Sequence, residues 1–403
     1  VADGYILEVA FADSPGTASP SWTDISTYMV EVMCRHGKQR QIGHTDAGTM
    51  TVRLKNQDRR FDPTHSSSPY SPNVLPLRQI RLRVERSAVI TPLFRGYVQS
   101  WPQEPQGRTM TWTQVECVDG FLPLSHADVG EGETWPAEHG GARINRILDA
   151  AGWPASLRDI DTGVSEIAEM IIPLGSGITA LAAILEVADA ELGSFFCDGQ
   201  GRACFHDRHR RRQSAYLTAA ATFQDGNSTG FIYNNIVLDT DDDNIWNDIQ
   251  VTALGGETAR AEDSTSQAAY WRRSLTRQVP LSRVSEAQDQ AEWLLAQNKD
   301  PRGKLREVTL KPRRTESGTW AAIVPREISD HVIVKRWPQK VGTEISQHCS
   351  VESVQYHAKP GADRIGDVTV TWSLSTPAPS SVDWWILGDA TYGVLGSTTK
   401  LIY

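Results

Sequence analysis

The chain is poor in cysteine: Cys34, Cys117, Cys197, Cys204 and Cys349 are its five among 403 residues. The number is odd and no Cys-x-x-Cys pair occurs, which argues against a disulfide scaffold and against the common structural zinc spacings. Reduced, buried thiols are expected. Long apolar runs are also missing. None approaches the roughly 20 residues of a membrane helix, so no membrane-spanning segment is expected. The opening stretch VADGYILEVAFADSPG has no basic n-region and no long apolar h-region. No secretory signal is read there, and cytoplasmic synthesis is the expectation. A basic excess is missing as well: 40 Lys and Arg stand against 49 Asp and Glu, a formal net charge of -9. Nucleic-acid binders need basic surface to neutralise phosphates, so that class is set aside. There is no His-Glu-x-x-His zinc motif and no Walker-type phosphate loop. Nothing makes a positive case for catalysis, and the chain is expected to be non-enzymatic, without cofactor.

What is present is β patterning. Tyr5, Leu7 and Val9 alternate, as do Tyr28, Val30 and Val32, then Met50, Val52 and Leu54. QIRLRVE at 79–85 and segments 93–101 and 109–118 continue the theme. Period-two alternation marks half-buried strands, and turn-rich pieces such as SPGTASPS separate them. Many short strands with regular turns suggest a barrel or sandwich. From 126 the character changes. Ile144, Ile147, Leu148 and Ala151 lie at helical spacing. Leu181, Leu185, Ala188 and Leu192 share a face of a second helix over roughly 178–192, with Gly193 as its C′ residue. SFFCDGQGRACFHDR then reads as a β-hairpin with Asp198-Gly199 in the turn. Strands resume beyond 213, interrupted by a helix near 284–298 that ends before Asp300-Pro301.

The two β regions share a weak internal repeat, read either as a duplication or as the common look of antiparallel β units. TVRL, a long loop, QIRLRVE, LFRGYVQSWPQEP and TMTWTQVEC in the first correspond to EVTLKP, a long loop, HVIVKRW, CSVESVQYHAKPG and DVTVTWSLS in the second. The organisation expected is a first β-barrel domain over 1–125, an inserted α+β domain over 126–212, a second β-barrel-type domain over 213–376, and a C-terminal docking tail over 377–403.

Four clusters stand out. Asn56 to Asp62 forms a charge knot, NQDRRFD. It lacks the interior Gly and the twelfth-position Glu of a calcium loop, and Arg59 and Arg60 sit where they would repel a cation. Its alternating signs and Asp62-Pro63 suit a braced structural loop. Asp239-Thr-Asp-Asp-Asp-Asn244 starts like an EF-hand, but Asn244 and Gln250 stand where Gly and the bidentate Glu belong, so a strand edge or turn is favoured and calcium stays open there. His206-x-x-His209 and the run Arg210–Arg212 complete no zinc spacing and are read as a solvated turn or a charged contact with a partner chain. Thirteen Trp is high, and Trp384-Trp385 follow a Pro/Ser linker. Such rings suit docking onto a neighbouring chain. Asp58, Arg59, Arg60, Asp62, Trp384, Trp385 and Tyr392 are therefore the interface candidates; no catalytic, cofactor or metal residue is assigned.

Several stretches in order carry a resemblance. SWTDIS at 21–26, GTMTVRLKNQDRRFDP at 48–63, SPYSPNVLPLRQIRLRV at 68–84, LFRGYVQSWP at 93–102, ALAAILEVADAELGSFFCDGQGRACFHDR at 180–208, IWNDIQVT at 245–252, DPRGKLREVTLKP at 300–312 and WWILGDATYGVLGSTTKL at 384–401 resemble minor tail proteins of long-tailed actinobacteriophages. Lys55 departs from the pattern, which more often has Asp. That family is similar to the baseplate hub proteins of tailed phages. The resemblance implies a mainly β fold with a smaller α+β part: two related antiparallel β-barrel domains with an inserted α+β domain, assembled as a homotrimer. It further implies a virion location at the tail tip. The partners would be the distal tail protein or tail tube ring, the tape measure protein and other tip proteins, and DNA would pass without sequence-specific binding. A distal tail ring, a cell-wall-binding or -degrading tip protein and a secreted β-rich adhesin are the rival readings.

Overall fold

The computed structural model describes residues 3–38, 45–106, 110–226, 229–239, 245–301, 304–312, 318–338, 342–361 and 366–375, with short strands at 383–384 and 399–400. The fold is mostly β with a few helices. The first β unit contains β1 (Gly4–Val9), β2 (Met29–Gly37), β3 (Asp46–Lys55), β4 (Gln79–Arg86), β5 (Val89–Ser100), β6 (Gln103–Gln106) and β7 (Met110–Val118). The alternation read from the sequence is the burial pattern in β1 and β3, whereas in β2 a bulge between Met29 and Glu31 buries Met29 and Val32 in place of Tyr28 and Val30. Met50, Val52 and Leu54 point into the core from β3, with Arg53 between them on the other face.

An inserted segment follows, with helices α1 (Gly140–Ala150) and α2 (Ala180–Ala190) and a hairpin of β8 (Ser194–Cys197) and β9 (Ala203–His206). Thr179 caps α2 by accepting from Ala182 N. The expected C′ glycine is off by one. Leu192 takes the left-handed conformation (φ 53°), and the Gly193 amide closes the motif on Ala188 O at 2.9 Å. Glycine is required at 193 for a different reason: a Cβ there would lie 2.7 Å from His206 O.

The second β unit contains β10 (Ala221–Gln224) and β11 (Asn235–Asp239). A side layer follows, with β12 (Asp248–Thr252), β13 (Thr258–Glu262), β14 (Ser274–Gln278) and helix α3 (Val284–Asn298). The chain then returns through β15 (Lys304–Leu310), α4 (Thr319–Ile323), β16 (His331–Arg336), β17 (Ile345–Lys359) and β18 (Asp367–Ser375). Residues 245–298, grouped by sequence with this second unit, share their apolar core with the insert instead. Ile249, Val251, Ala287, Ala291 and Leu294 pack with Ile144, Ile147, Ile184 and Val187. A separate apolar core runs continuously through both β units, from Tyr5 to Leu374.

The repeat seen in the sequence is a repeat of topology. The order β2-β3-β7-β5-β4 in the first unit recurs as β11-β15-β18-β17-β16 in the second. Register agrees over the centre of the matched strands, although β11 slips against β15 between Val237 and Leu238 where β2 does not slip against β3. Thr113 stands between Leu54 and Gln103, as Val370 stands between Leu310 and Tyr356. A bulge between Val98 and Ser100 matches one between Val351 and Ser353. Five of the strands in each unit are thus superimposable in connectivity. The two units are also joined edge to edge, because β17 pairs antiparallel with β2, from Ser353 opposite Gly37 to Ala358 opposite Val32.

Candidate assembly interface

The charge knot is a self-bracing loop. Asn56 is fully buried at the end of β3. Its Oδ1 accepts from Phe61 N at 3.0 Å, and its Nδ2 donates to Gln103 Oε1 at 2.6 Å. This closes a tight turn in which Arg59 takes a left-handed φ of 57°. The Arg59 guanidinium reaches Asp62 at 2.7 and 2.9 Å, and Asp62 also accepts from the Thr64 amide and hydroxyl. Burial would raise the Asp62 carboxyl, but the Thr64 and Arg59 donors outweigh it and hold it below the usual range. Arg60 pairs with Asp58 and lies over the Tyr28 ring at 4.1 Å. After the two arginines Phe61 turns inward. It is fully buried, parallel to Trp101 at 6.0 Å and to Tyr70 at 5.6 Å, with Tyr28 edge-on at 5.4 Å. The acids of this loop are engaged by its own arginines, and the aromatic cluster anchors it to the first unit.

The corresponding loop of the second unit points elsewhere. Tyr356 Oη donates to Val324 O at 2.7 Å, just as Gln103 Nε2 donates to Phe61 O at 2.9 Å; Gln103 and Tyr356 hold equivalent strand positions. Three residues beyond Val324, Glu327 accepts from His36 Nε2 of the first unit at 2.8 Å. Burial pushes the His36 imidazole down, but the Glu327 charge beside it outweighs this, and its pKa is raised. Glu327 is correspondingly lowered, the His36 charge overriding the effect of burial. Ile328 packs on Gly37, where a Cβ would also strike Glu352 O at 2.3 Å.

A second knot of charge lies at the same junction. Glu352, 2% exposed on β17, accepts from Arg211 Nη1 at 2.7 Å and from Ser375 Oγ, with Lys38 Nζ at 3.8 Å. One buried carboxylate therefore ties the first unit, the insert and the second unit together. These groups line a cavity of about 400 Å³ with His206, Arg208 and Trp293. The arginine run, expected as a solvated turn or a partner contact, is an intrachain bridge: Arg210 holds Asp161 at 2.5 Å and Arg211 holds Glu352. His206 is pushed down to about 3, by burial first and then by Arg210 and Arg211, so it stays neutral.

Of the interface candidates, the structure brings Asp58, Arg59, Arg60 and Asp62 together in the braced loop. Trp384 belongs to a short strand pair, Asp383–Trp384 beside Thr399–Lys400. Trp385 and Tyr392 lie outside the described residues, as do positions 240–244 of the calcium candidate. One serine-hydrolase-like spacing occurs at Gly226–Gly230. Its Asn227 and Ser228 lie outside the described residues. His36, Glu327 and Glu352 are absent from the sequence-based candidates. Glu352 did leave a signal. Cys349 and Val351 alternate in one phase and Val354, Tyr356 and Ala358 in the other, and that slip marks the bulge that turns Glu352 inward.

No protein-family model matches the sequence, and no relative was found among curated proteins. Its fold does match solved structures. A tail protein from Neisseria meningitidis MC58 aligns with a TM-score of 0.59 at 12% identity, over 92% of this chain and 97% of that one. The 43 kDa tail protein of prophage MuSo2 from Shewanella oneidensis aligns with a TM-score of 0.55 at 13% identity, over 93% and 98%. The chain has the fold of phage tail proteins along almost its whole length.

Proposed function

We propose that this chain is a structural virion protein of a phage tail tip: a trimeric baseplate hub that joins the sixfold tail tube to threefold tip components and forms part of the DNA exit channel. The observation that carries this reading is the duplicated strand order, with its matching bulge, joined edge to edge within one chain. Three copies of a two-unit chain present six equivalent units, which lets a threefold assembly meet a sixfold tube under closed symmetry. The tail-protein fold supports the same reading. A distal tail ring, sixfold from six separate chains, would have no need of a second unit in each.

In this reading the chain acts by binding and sealing, without catalysis. Its neighbours are a distal tail protein or tube ring, the tape measure protein and other tip proteins, with the C-terminal segment docking on one of them. Its net charge of -9 suits passage of DNA without adhesion. Opening requires a partner that binds the open state more tightly than the closed one. Images of the intact tail tip test the proposal. Threefold symmetry at this layer is expected, and six copies there would sink it. Release of peptidoglycan fragments by the purified chain, abolished by changing one acidic residue, would overturn the non-enzymatic part.

A further inference from the structure

The chain carries one complete joint between β units and the two halves of a second. In the complete joint, β17 of the second unit pairs with β2 of the first, and the loop carrying Glu327 closes over it. Register equivalence identifies the matching surfaces. Met33 and Val237 are equivalent, since they pair with Thr51 and Glu307 on equivalent strands; Val32 and Ile236 likewise pair with Val52 and Val308. On the other side, Glu104 is equivalent to His357 and Pro105 to Ala358, through their shared partners on β7 and β18. Hence β11 is the second unit's copy of β2, and β6 is the first unit's copy of the lower half of β17. Yet among the described residues β11 pairs only with β15 and β6 only with β7. Each has an outer edge without a strand. Val237 is 40% exposed, as its counterpart Met33 is at 45% within the complete joint, so both face away from the core.

We infer that the outer edge of β11 receives β6 of a second copy of this chain, in the register of the internal joint. Val237 of one copy then faces Glu104 of the next, and Ile236 faces Pro105, as Met33 faces His357 and Val32 faces Ala358 inside the chain. This inference rests on the trimeric reading and names the surface that makes it. It also gives the charge knot a place. Its loop follows the strand equivalent to the one before the Glu327 loop, and Phe61 O, like Val324 O, accepts from the equivalent residues Gln103 and Tyr356, so it is assigned the corresponding role at the second joint. An unpaired strand edge is otherwise an aggregation liability. Pro105 has no N–H, so β6 can accept but not donate at that position, and this joint has one ladder hydrogen bond fewer than the internal one, where Ala358 stands. The two surfaces differ, so the contact is head-to-tail and must close into a ring or grow without limit.

The test is a disulfide trap in the full chain. Residues 104 and 237 occupy a directly opposed position of an antiparallel pair, where Cα separations lie within disulfide reach. All five native cysteines are buried, so background coupling is low. The double variant Glu104→Cys/Val237→Cys, concentrated and mildly oxidised, is expected to give covalent dimers and trimers and nothing larger on a non-reducing gel. Each single variant should stay monomeric on that gel. Mass in solution is read on the same samples by light scattering. A three-chain mass without the cross-link would overturn the joint and leave the trimer standing. A single-chain mass at every concentration would overturn the trimer and the joint together. A ladder beyond three would overturn ring closure.

Discussion

The two long loops that follow equivalent strands, one after β3 and one after β15, start from the same frame and use charge in opposite ways. In the first unit the loop keeps its charges at the surface and to itself. Arg59 meets Asp62, Arg60 meets Asp58, and an aromatic wedge at Phe61 holds the whole turn down. In the second unit the loop is anchored by the smaller Val324 and sends Glu327 across to His36 of the other unit. A duplicated scaffold thus tolerates divergence wherever the backbone is held by strands. The first loop is stabilised by its own packing and the second by what it touches. Four perturbations break or sharpen this contrast.

The largest effect should come from the wedge. Phe61→Ala removes a fully buried ring from contact with Trp101, Tyr70 and Tyr28. Its cost is expected at about 3–5 kcal/mol. The equivalent Val324→Ala loses two methyl carbons and should cost about 1–2 kcal/mol. Urea unfolding of both variants compares them; equal costs would mean that the two loops are anchored alike.

Next comes the buried carboxylate. Arg211→Ala leaves Glu352 with Ser375 and with Lys38 at 3.8 Å, and Glu352 Oε2 already lacks a hydrogen bond. Breaking a buried pair from one side should cost about 3 kcal/mol. Glu352→Gln removes the buried charge and should cost less than Arg211→Ala. Thermal unfolding of the pair decides this. If the glutamine variant is the more damaged, then the charge itself, and not its stranding, organises the junction.

Much of this contrast was legible in the sequence and part of it was not. Alternation placed Met50, Val52 and Leu54 in the core, and the order of matched segments announced the duplicated frame, because strand period and turn chemistry are local. The helix at 284–298 was equally readable from its apolar spacing. What its apolar face packs on was not, and it joins the insert's core because a hydrophobic stripe names no partner. The charge knot was readable as a braced loop because its partners lie within six residues. His36, Glu327 and Arg211 were not, since their partners lie 291 and 141 positions away along the chain. The arginine run failed for that reason too: three adjacent cations look solvated until the fold brings Glu352 and Asp161 to them.

The reaching contact should also be pH-dependent in a defined window. His36 is raised, so its contribution is complete below about pH 6.5 and is lost as pH rises through its folded pKa. Glu327 is lowered, so its contribution is complete above about pH 4.5 and is lost as pH falls through its folded pKa. The stabilisation of wild type over His36→Gln should therefore peak between those limits and decline on both sides. Its maximum is expected near 1–2 kcal/mol, roughly a charged hydrogen bond discounted because Glu327 is 37% exposed. Unfolding midpoints from pH 3 to pH 9 measure it, and a difference that keeps growing toward alkaline pH would contradict the pairing.

The smallest effect belongs to the self-contained charges. Arg60 sits 4.1 Å above the Tyr28 ring and pairs with Asp58, whose side chain is 53% exposed. An exposed ion pair contributes about 0–1 kcal/mol and an exposed cation–π contact about 0.5–1 kcal/mol. Arg60→Ala should thus cost about 1 kcal/mol, and Asp58→Ala less. A double-mutant cycle between Arg60→Ala and Tyr28→Leu separates the two, since the ring contact survives salt better than the ion pair does. If 1 M salt removes most of the Arg60 effect, the ion pair carries it; if the coupling to Tyr28 persists, the loop is held by its stem packing. The second outcome is expected, because Phe61 already fixes the backbone on which Arg60 stands. The charges of NQDRRFD would then add little to folding and remain available at the surface, where the equivalent loop makes its contact with a neighbouring unit.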